Sequence, residues 1–185
     1  VRGAARELLG LSPLLPVFAL LPGSRQSELE YMADTFIETA KRIHEKQPDA
    51  VFLVPMATRE TRLLFETALY RCDARELPVR MLFGHAHEAM AAADVVLVAS
   101  GTATLEAALL KRPMVIAYKM ASLSHRLMRR MGYLPYVGLP NILAGRFVVP
   151  EFIQDDATPE NLAQALLNYL GDKETCARIG EVFRD

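Results

Sequence analysis

Apolar residues along this chain alternate between two textures. Short runs rich in Val, Leu, Phe and Ile, with little polar alternation, predict strands over Val17–Leu21, Ala50–Val54, Val79–Phe83, Val95–Ala99 and Met114–Tyr118. Such runs are typical of parallel strands buried on both faces. Between them, apolar positions recur at helical spacing. The clearest case is Ser27–Lys46, where Leu29, Met32, Ala33, Phe36, Ile37, Ala40 and Ile43 form one stripe. Ser27 and Glu30 stand at capping-box spacing near its start, and Pro48 ends it. Further helices are predicted over Thr58–Tyr70, His87–Ala93, Ala103–Leu110, Leu123–Met131 and Pro159–Leu170, with short ones at the start of the chain and over Lys173–Phe183.

Strand–helix alternation of this kind predicts an α/β architecture: a Rossmann-like, doubly wound parallel sheet with helices on both faces. In the order 3-2-1-4-5 the sheet reverses direction between its first and fourth strands, and ligands occupy the crevice at their carboxyl ends. The segments after those two strands, Pro22-Gly23-Ser24-Arg25 and Ser100-Gly101-Thr102-Ala103-Thr104, each open a helix. They are therefore expected to meet in space. No internal repeat or interdomain linker interrupts the pattern, so 1–185 reads as a single domain. The least regular stretch is Tyr133–Pro150, with Pro135, Gly138, Pro140, Gly145 and Pro150. Irregular segments of that length in a compact domain are often functional.

Composition narrows the class. Of 185 residues, 51% are hydrophobic, enough for a substantial core, and the formal net charge of −1 argues against a nucleic-acid partner. The two cysteines, Cys72 and Cys176, form no ligand-spaced cluster and read as free thiols of a reducing compartment. No apolar run reaches the roughly 18–20 residues of a bilayer span. Arg6 and Glu7 interrupt any signal-peptide pattern, and the start at Val1 rather than Met fits a piece of a longer protein.

The chemistry of the two glycine loops follows from their residue types. Helix N-termini present unsatisfied N–H groups and the positive end of the helix dipole, a natural anion site. Gly23 allows close approach of backbone to a phosphate. Ser24 can cap the helix or donate its hydroxyl. Arg25 adds a forked, permanently charged donor. Ser100, Gly101, Thr102 and Thr104 repeat the arrangement with hydroxyl donors, and Glu106, on the first turn of its helix, can accept both hydroxyls of a ribose. Such sequences are also ordinary turns and caps; it is their pairing at the switch point that points to a diphosphate. Neither matches the dinucleotide-binding or P-loop fingerprint, and the chain contains no Asp-x-Asp triplet of the kind that holds a divalent metal.

The stretches Leu20-Leu21-Pro22-Gly23-Ser24-Arg25 with Glu28 and Glu30, Pro113–Met120, Ala99-Ser100-Gly101-Thr102-Ala103-Thr104-Leu105-Glu106 and Leu139-Pro140-Asn141-Ile142-Leu143-Ala144-Gly145-Arg146 resemble the lipid-A-disaccharide synthases. The likeness covers Val17 to Leu170. It implies one half of a GT-B type fold, the donor-binding half. The family transfers 2,3-diacylglucosamine from its UDP conjugate to 2,3-diacylglucosamine 1-phosphate, an early step of lipid A synthesis in Gram-negative bacteria. On this resemblance Arg25, Ser100, Gly101, Thr102 and Thr104 would hold the UDP diphosphate, with Arg25 stabilising the leaving group. Glu106 would hold the ribose, Asn141 would lie near the diphosphate or donor sugar, and the backbone at Phe83–Gly84 would read the uracil. No cofactor is implied. The acceptor domain, with the general base, would lie outside this chain, and the fragment alone would be inactive. The full enzyme would work at the cytoplasmic face of the inner membrane as a peripheral protein, with a homodimer as one expectation.

Other features carry blander readings. His85 and His87, spaced i, i+2, point to different sides and read as cap or loop contacts rather than metal ligands. His125, Arg126, Arg129, Arg130 and Lys119 read as the basic face of a core-packed helix, with contact to anionic headgroups or the acceptor phosphate as the sharper alternative. Three other readings remain open at this level: a UDP-N-acetylglucosamine 2-epimerase, another GT-B glycosyltransferase, and a non-catalytic nucleotide-binding module.

Overall fold

In the computed structural model, which describes residues 2–99, 102–118, 151–153 and 157–171, the chain runs α1 (Arg2–Leu8), β1 (Val17–Leu21), α2 (Gln26–Lys46), β2 (Val51–Met56), α3 (Arg59–Arg71), β3 (Val79–Phe83), α4 (Ala86–Ala92), β4 (Val95–Ala99), α5 (Thr102–Leu109), β5 (Met114–Tyr118), β6 (Glu151–Ile153) and α6 (Pro159–Gly171). The helices expected over Leu123–Met131 and Lys173–Phe183, the irregular stretch Tyr133–Pro150 and Cys176 lie outside the described residues.

All strands pair in parallel in the order β3-β2-β1-β4-β5-β6. The sheet is thus the doubly wound arrangement that the alternation predicted, extended by β6. That strand spans only three residues, too short for a periodic pattern to announce. From β1 the chain steps outward to β2 and β3, then returns to β4 and steps the other way to β5. Right-handed crossovers therefore send α2 and α5 to opposite faces. On one face α2 packs against α3 and α6; on the other side of the molecule α1 packs against α4.

The core explains why these runs became strands. Every residue of β1 and β4 is buried, and Phe18 stacks on Phe52 with ring centroids 5.7 Å apart. The stripe of α2 lies wholly against this layer, from Leu29 to Ile43. Each fully buried large apolar side chain of this kind stabilises the fold by about 1.5–3 kcal/mol relative to exposure. Edge strand β3 is only partly covered.

At the amino ends of β1 and β4 a buried arginine ties the structure together. Arg6 of α1 donates from Nε to the carbonyl of Ala92 at 2.9 Å, from Nη1 to the carbonyls of Pro13 and Leu15, and from Nη2 to Asp94 Oδ2 at 2.8 Å. Asp94 Oδ2 also accepts from the Val17 amide at 2.9 Å. A buried ion is tolerated when its donors find partners in this way.

Cys72 is a free thiol, pushed up to about 11 chiefly by burial and then by the neighbouring Asp34 carboxylate, so it is protonated at neutral pH. Among the described residues no helix is long and apolar enough to cross a membrane.

Candidate functional site

Strands β1 and β4 are hydrogen-bonded neighbours, with Leu21 beside Val98 in register. Their carboxyl ends, with those of β2 and β3, frame a cleft of about 520 Å³. Its floor is apolar, made by Leu21, Pro55, Met56, Val98 and Ala99. Its polar groups are Gly23, Ser24, Arg25 and Glu28 from the start of α2, Gly84 from the end of β3, and Glu106 from α5. An apolar cavity with a few convergent polar groups is the usual form of a small-molecule site.

The start of α2 differs from the sequence expectation. Ser27 and Glu30 do not form a capping box; the N-cap is Arg25, in extended conformation, and its side chain makes no capping hydrogen bond. The first helical bond runs from the Leu29 amide to the Arg25 carbonyl at 3.1 Å. The amides of Gln26, Ser27 and Glu28 precede it and have no acceptor within the helix. Ser24 is exposed and stands one residue before the N-cap, so it does not cap α2 either. Arg25 is likewise exposed, and its guanidinium is in no ion pair among the described residues. The helix thus starts, with its positive dipole end and three amides unused within it, beside a cleft that Arg25 and Glu28 line.

Gly23 sets this geometry. Its φ of +128° lies in the region that disfavours side chains, and a Cβ there would fall 2.5 Å from Glu28 Oε2 and 2.7 Å from Glu28 Cβ. The Glu28 side chain folds back over the glycine, three residues beyond Arg25 on the first turn of α2.

On the other wall, α5 begins at Thr102, and Ser100 and Gly101 lie outside the described residues, as does Asn141. Glu106 is exposed and lines the cleft, but it stands one turn into the helix, beyond the first-turn position expected for it. Thr104 is a second correction. It is 0% exposed and absent from the cleft wall. The helical period places it in the buried stripe with Ala107 and Ala108, while Ala103 and Glu106 face the cleft. Gly84 reaches the cleft with φ +67°, and its amide is already taken by the Met56 carbonyl at 2.9 Å, leaving its carbonyl for a ligand. Phe83 is half exposed, and its ring carries the Arg62 guanidinium 5.1 Å from the centroid. His85 is the N-cap of α4 in the left-handed region, without a side-chain cap bond; its Nδ1 lies 3.7 Å from Glu88.

Two contributions were given no role from the sequence. Pro55 and Met56 end β2 and Ala57 follows it, and together they complete the wall beside β1. The signal was available in the strand order, since β2 is the other neighbour of β1. Glu28 was visible as a residue three positions after Arg25, the spacing that puts two side chains on one side of a helix.

Comparison with known proteins bears on what such a cleft serves. Among solved structures, the fold is similar to WaaG, a glycosyltransferase involved in lipopolysaccharide biosynthesis, with a TM-score of 0.67 at 19% identity over 99% of this chain and 45% of that one. It is also similar to the UDP-GlcNAc 2-epimerase from Neisseria meningitidis bound to UDP-GlcNAc, with a TM-score of 0.64 at 12% identity over 98% of this chain and 46% of that one. Transferase and epimerase thus share this architecture, and fold alone does not separate them. Sequence does. The chain is 63% identical over 183 residues to the lipid-A-disaccharide synthase of Dechloromonas aromatica, covering 98% of this chain and 48% of that protein. The corresponding enzyme of Aromatoleum aromaticum is 64% identical over 178 residues, covering 96% of this chain and 46% of that protein. The chain therefore spans about half the length of the curated relatives it matches. The family model for lipid-A-disaccharide synthetase matches residues 2–183. The switch-point cleft accordingly sits in a chain that belongs to the lipid-A-disaccharide synthase family.

Proposed function

We propose that this chain is the donor-binding half of a glycosyltransferase that moves 2,3-diacylglucosamine from its UDP conjugate to 2,3-diacylglucosamine 1-phosphate. The observation that carries the reading is the convergence of Gly23, Arg25 and Glu106 on one cleft at the switch point, in a chain of this family.

In this reading the diphosphate lies against Gly23 and the free amides of α2, and Arg25 donates to its oxygens. As the glycosidic bond to the diphosphate breaks, negative charge grows on the departing oxygen. The helix terminus is fixed in place before that charge develops, with Arg25 beside it, and preorganised donors of this kind lower the barrier most. Glu106 accepts from the ribose hydroxyls, and the Gly84 carbonyl is placed to meet the base. Ser100, Gly101, Thr102 and Asn141 complete the diphosphate and sugar contacts. The attacking hydroxyl belongs to the acceptor sugar, and the general base that takes its proton lies in an acceptor domain outside this chain, working at the cytoplasmic face of the inner membrane.

Titration of the full-length protein with UDP tests the reading. UDP is expected to bind, and Arg25→Ala to weaken it about 10–100-fold, the worth of a charge-assisted contact of roughly 1.5–3 kcal/mol. Turnover should fall further, about 10²–10³-fold, as when a transition-state donor is lost. Glu106→Gln should weaken UDP but spare free diphosphate. A wild-type protein that ignores UDP removes the proposal.

A further inference from the structure

Glu28 raises a question that the diphosphate does not answer. Its carboxylate lines the same cleft as Arg25, beside the glycine whose backbone approaches the phosphates. It is in no ion pair with Arg25 or with any other described residue, and it is not the cap of its helix. A carboxylate there repels a diphosphate. Its placement is nevertheless built in: Gly23 cannot carry a side chain because Glu28 occupies that space, with both its Cβ and its Oε2 inside contact distance of a Cβ.

The charge pattern of the cleft resolves this. Glu28 stands on α2 and Glu106 on α5, and these helices leave the sheet towards opposite faces. The cleft thus combines one guanidinium and one free helix start with two carboxylates, one from each of these helices. A ligand complementary to that set joins a negative charge to two separate hydroxyl-bearing neutral groups, one for each carboxylate. A nucleoside diphosphate sugar has those parts: ribose, diphosphate, hexose. With Glu106 on the ribose, the geometry points to Glu28 as the acceptor for hydroxyl or amide hydrogens of the transferred sugar, making it a determinant of selectivity for a nucleoside diphosphate hexosamine over the free nucleotide. This rests on the nucleotide-sugar reading above and extends it to the sugar.

The test is Glu28→Gln in the full-length protein, with affinities measured for UDP and for UDP-2,3-diacylglucosamine. Glutamine keeps the shape over Gly23 but gives up the charge that strengthens hydrogen bonds from hydroxyls. Affinity for the UDP-sugar should fall about tenfold, the range of one charge-assisted hydrogen bond. Affinity for UDP should stay the same or rise, because a repelling charge beside the diphosphate has gone. Equal losses for both ligands would mean that Glu28 only shapes the loop, and unchanged affinity for both would mean that it touches neither; either result overturns the assignment. A wild-type protein that fails to bind UDP would instead sink the nucleotide-sugar reading itself, and this inference with it.

Discussion

Two helices start side by side at the carboxyl edge of this sheet, and their first turns are built differently. At α3, Thr58 accepts from the Thr61 amide at 3.1 Å, and the Thr61 hydroxyl in turn accepts from the Thr58 amide at 3.1 Å. This reciprocal box uses two donors that the helix geometry leaves over. At α2 the N-cap is Arg25, with no capping bond at all. The stable solution was available one strand away, so the open start of α2 is a local sacrifice of about 1 kcal/mol of capping. What it leaves is a set of amides unused within the helix, at a start whose Arg25 and Glu28 line the cleft. A closed first turn serves the fold; in the function proposed above, an open one is kept for the diphosphate.

The contrast can be broken in three places, beginning with the largest expected effect. Gly23→Ala should cost about 2–3 kcal/mol by chemical denaturation, since a positive φ and a steric collision act together, and should abolish UDP binding as the loop moves. A protein that melts and binds normally would show that Gly23 is not what holds the open start. Thr58→Ala should lower stability by about 1 kcal/mol with no change in UDP affinity, because the closed turn has nothing to offer a ligand. A loss of affinity there would erase the distinction. The smallest effect is expected from comparing Arg25→Ser with Arg25→Ala: serine can cap, so its variant should be more stable by about 0.5–1 kcal/mol, while both lose UDP equally. If the two variants have the same stability, the start of α2 cannot be capped by a side chain, and its openness is imposed by geometry rather than by residue choice.

The same contrast explains what could be read from the residues. Strands β1, β3, β4 and β5 follow their apolar runs end to end, and the stripe of α2 is buried as its spacing predicts. These features rest on burial, which period and residue type report directly. The placing of Gly23, Arg25 and Glu106 in one cleft followed from strand order alone. Helix starts were harder. Ser27 and Glu30 carry a capping signature, yet the helix begins ahead of them at Gln26, with Arg25 as its N-cap. Thr104 carries a ligand-like hydroxyl, but the helical period turns it into the core. Glu28 could be counted onto the right side of α2, but its backward fold over Gly23 depends on a φ angle that residue type alone does not give.

The Arg6 knot has a bearing on the cleft although it lies at the opposite end of the sheet. It gathers the amino ends of β1 and β4, through Val17, Asp94 and Ala92. The carboxyl ends of those same two strands carry the cleft walls. Strands tied at one end and zipped along their length have little freedom left to spread at the other. The spacing between the walls is therefore settled during folding, and an arriving ligand meets a preorganised gap whose ordering entropy has already been lost.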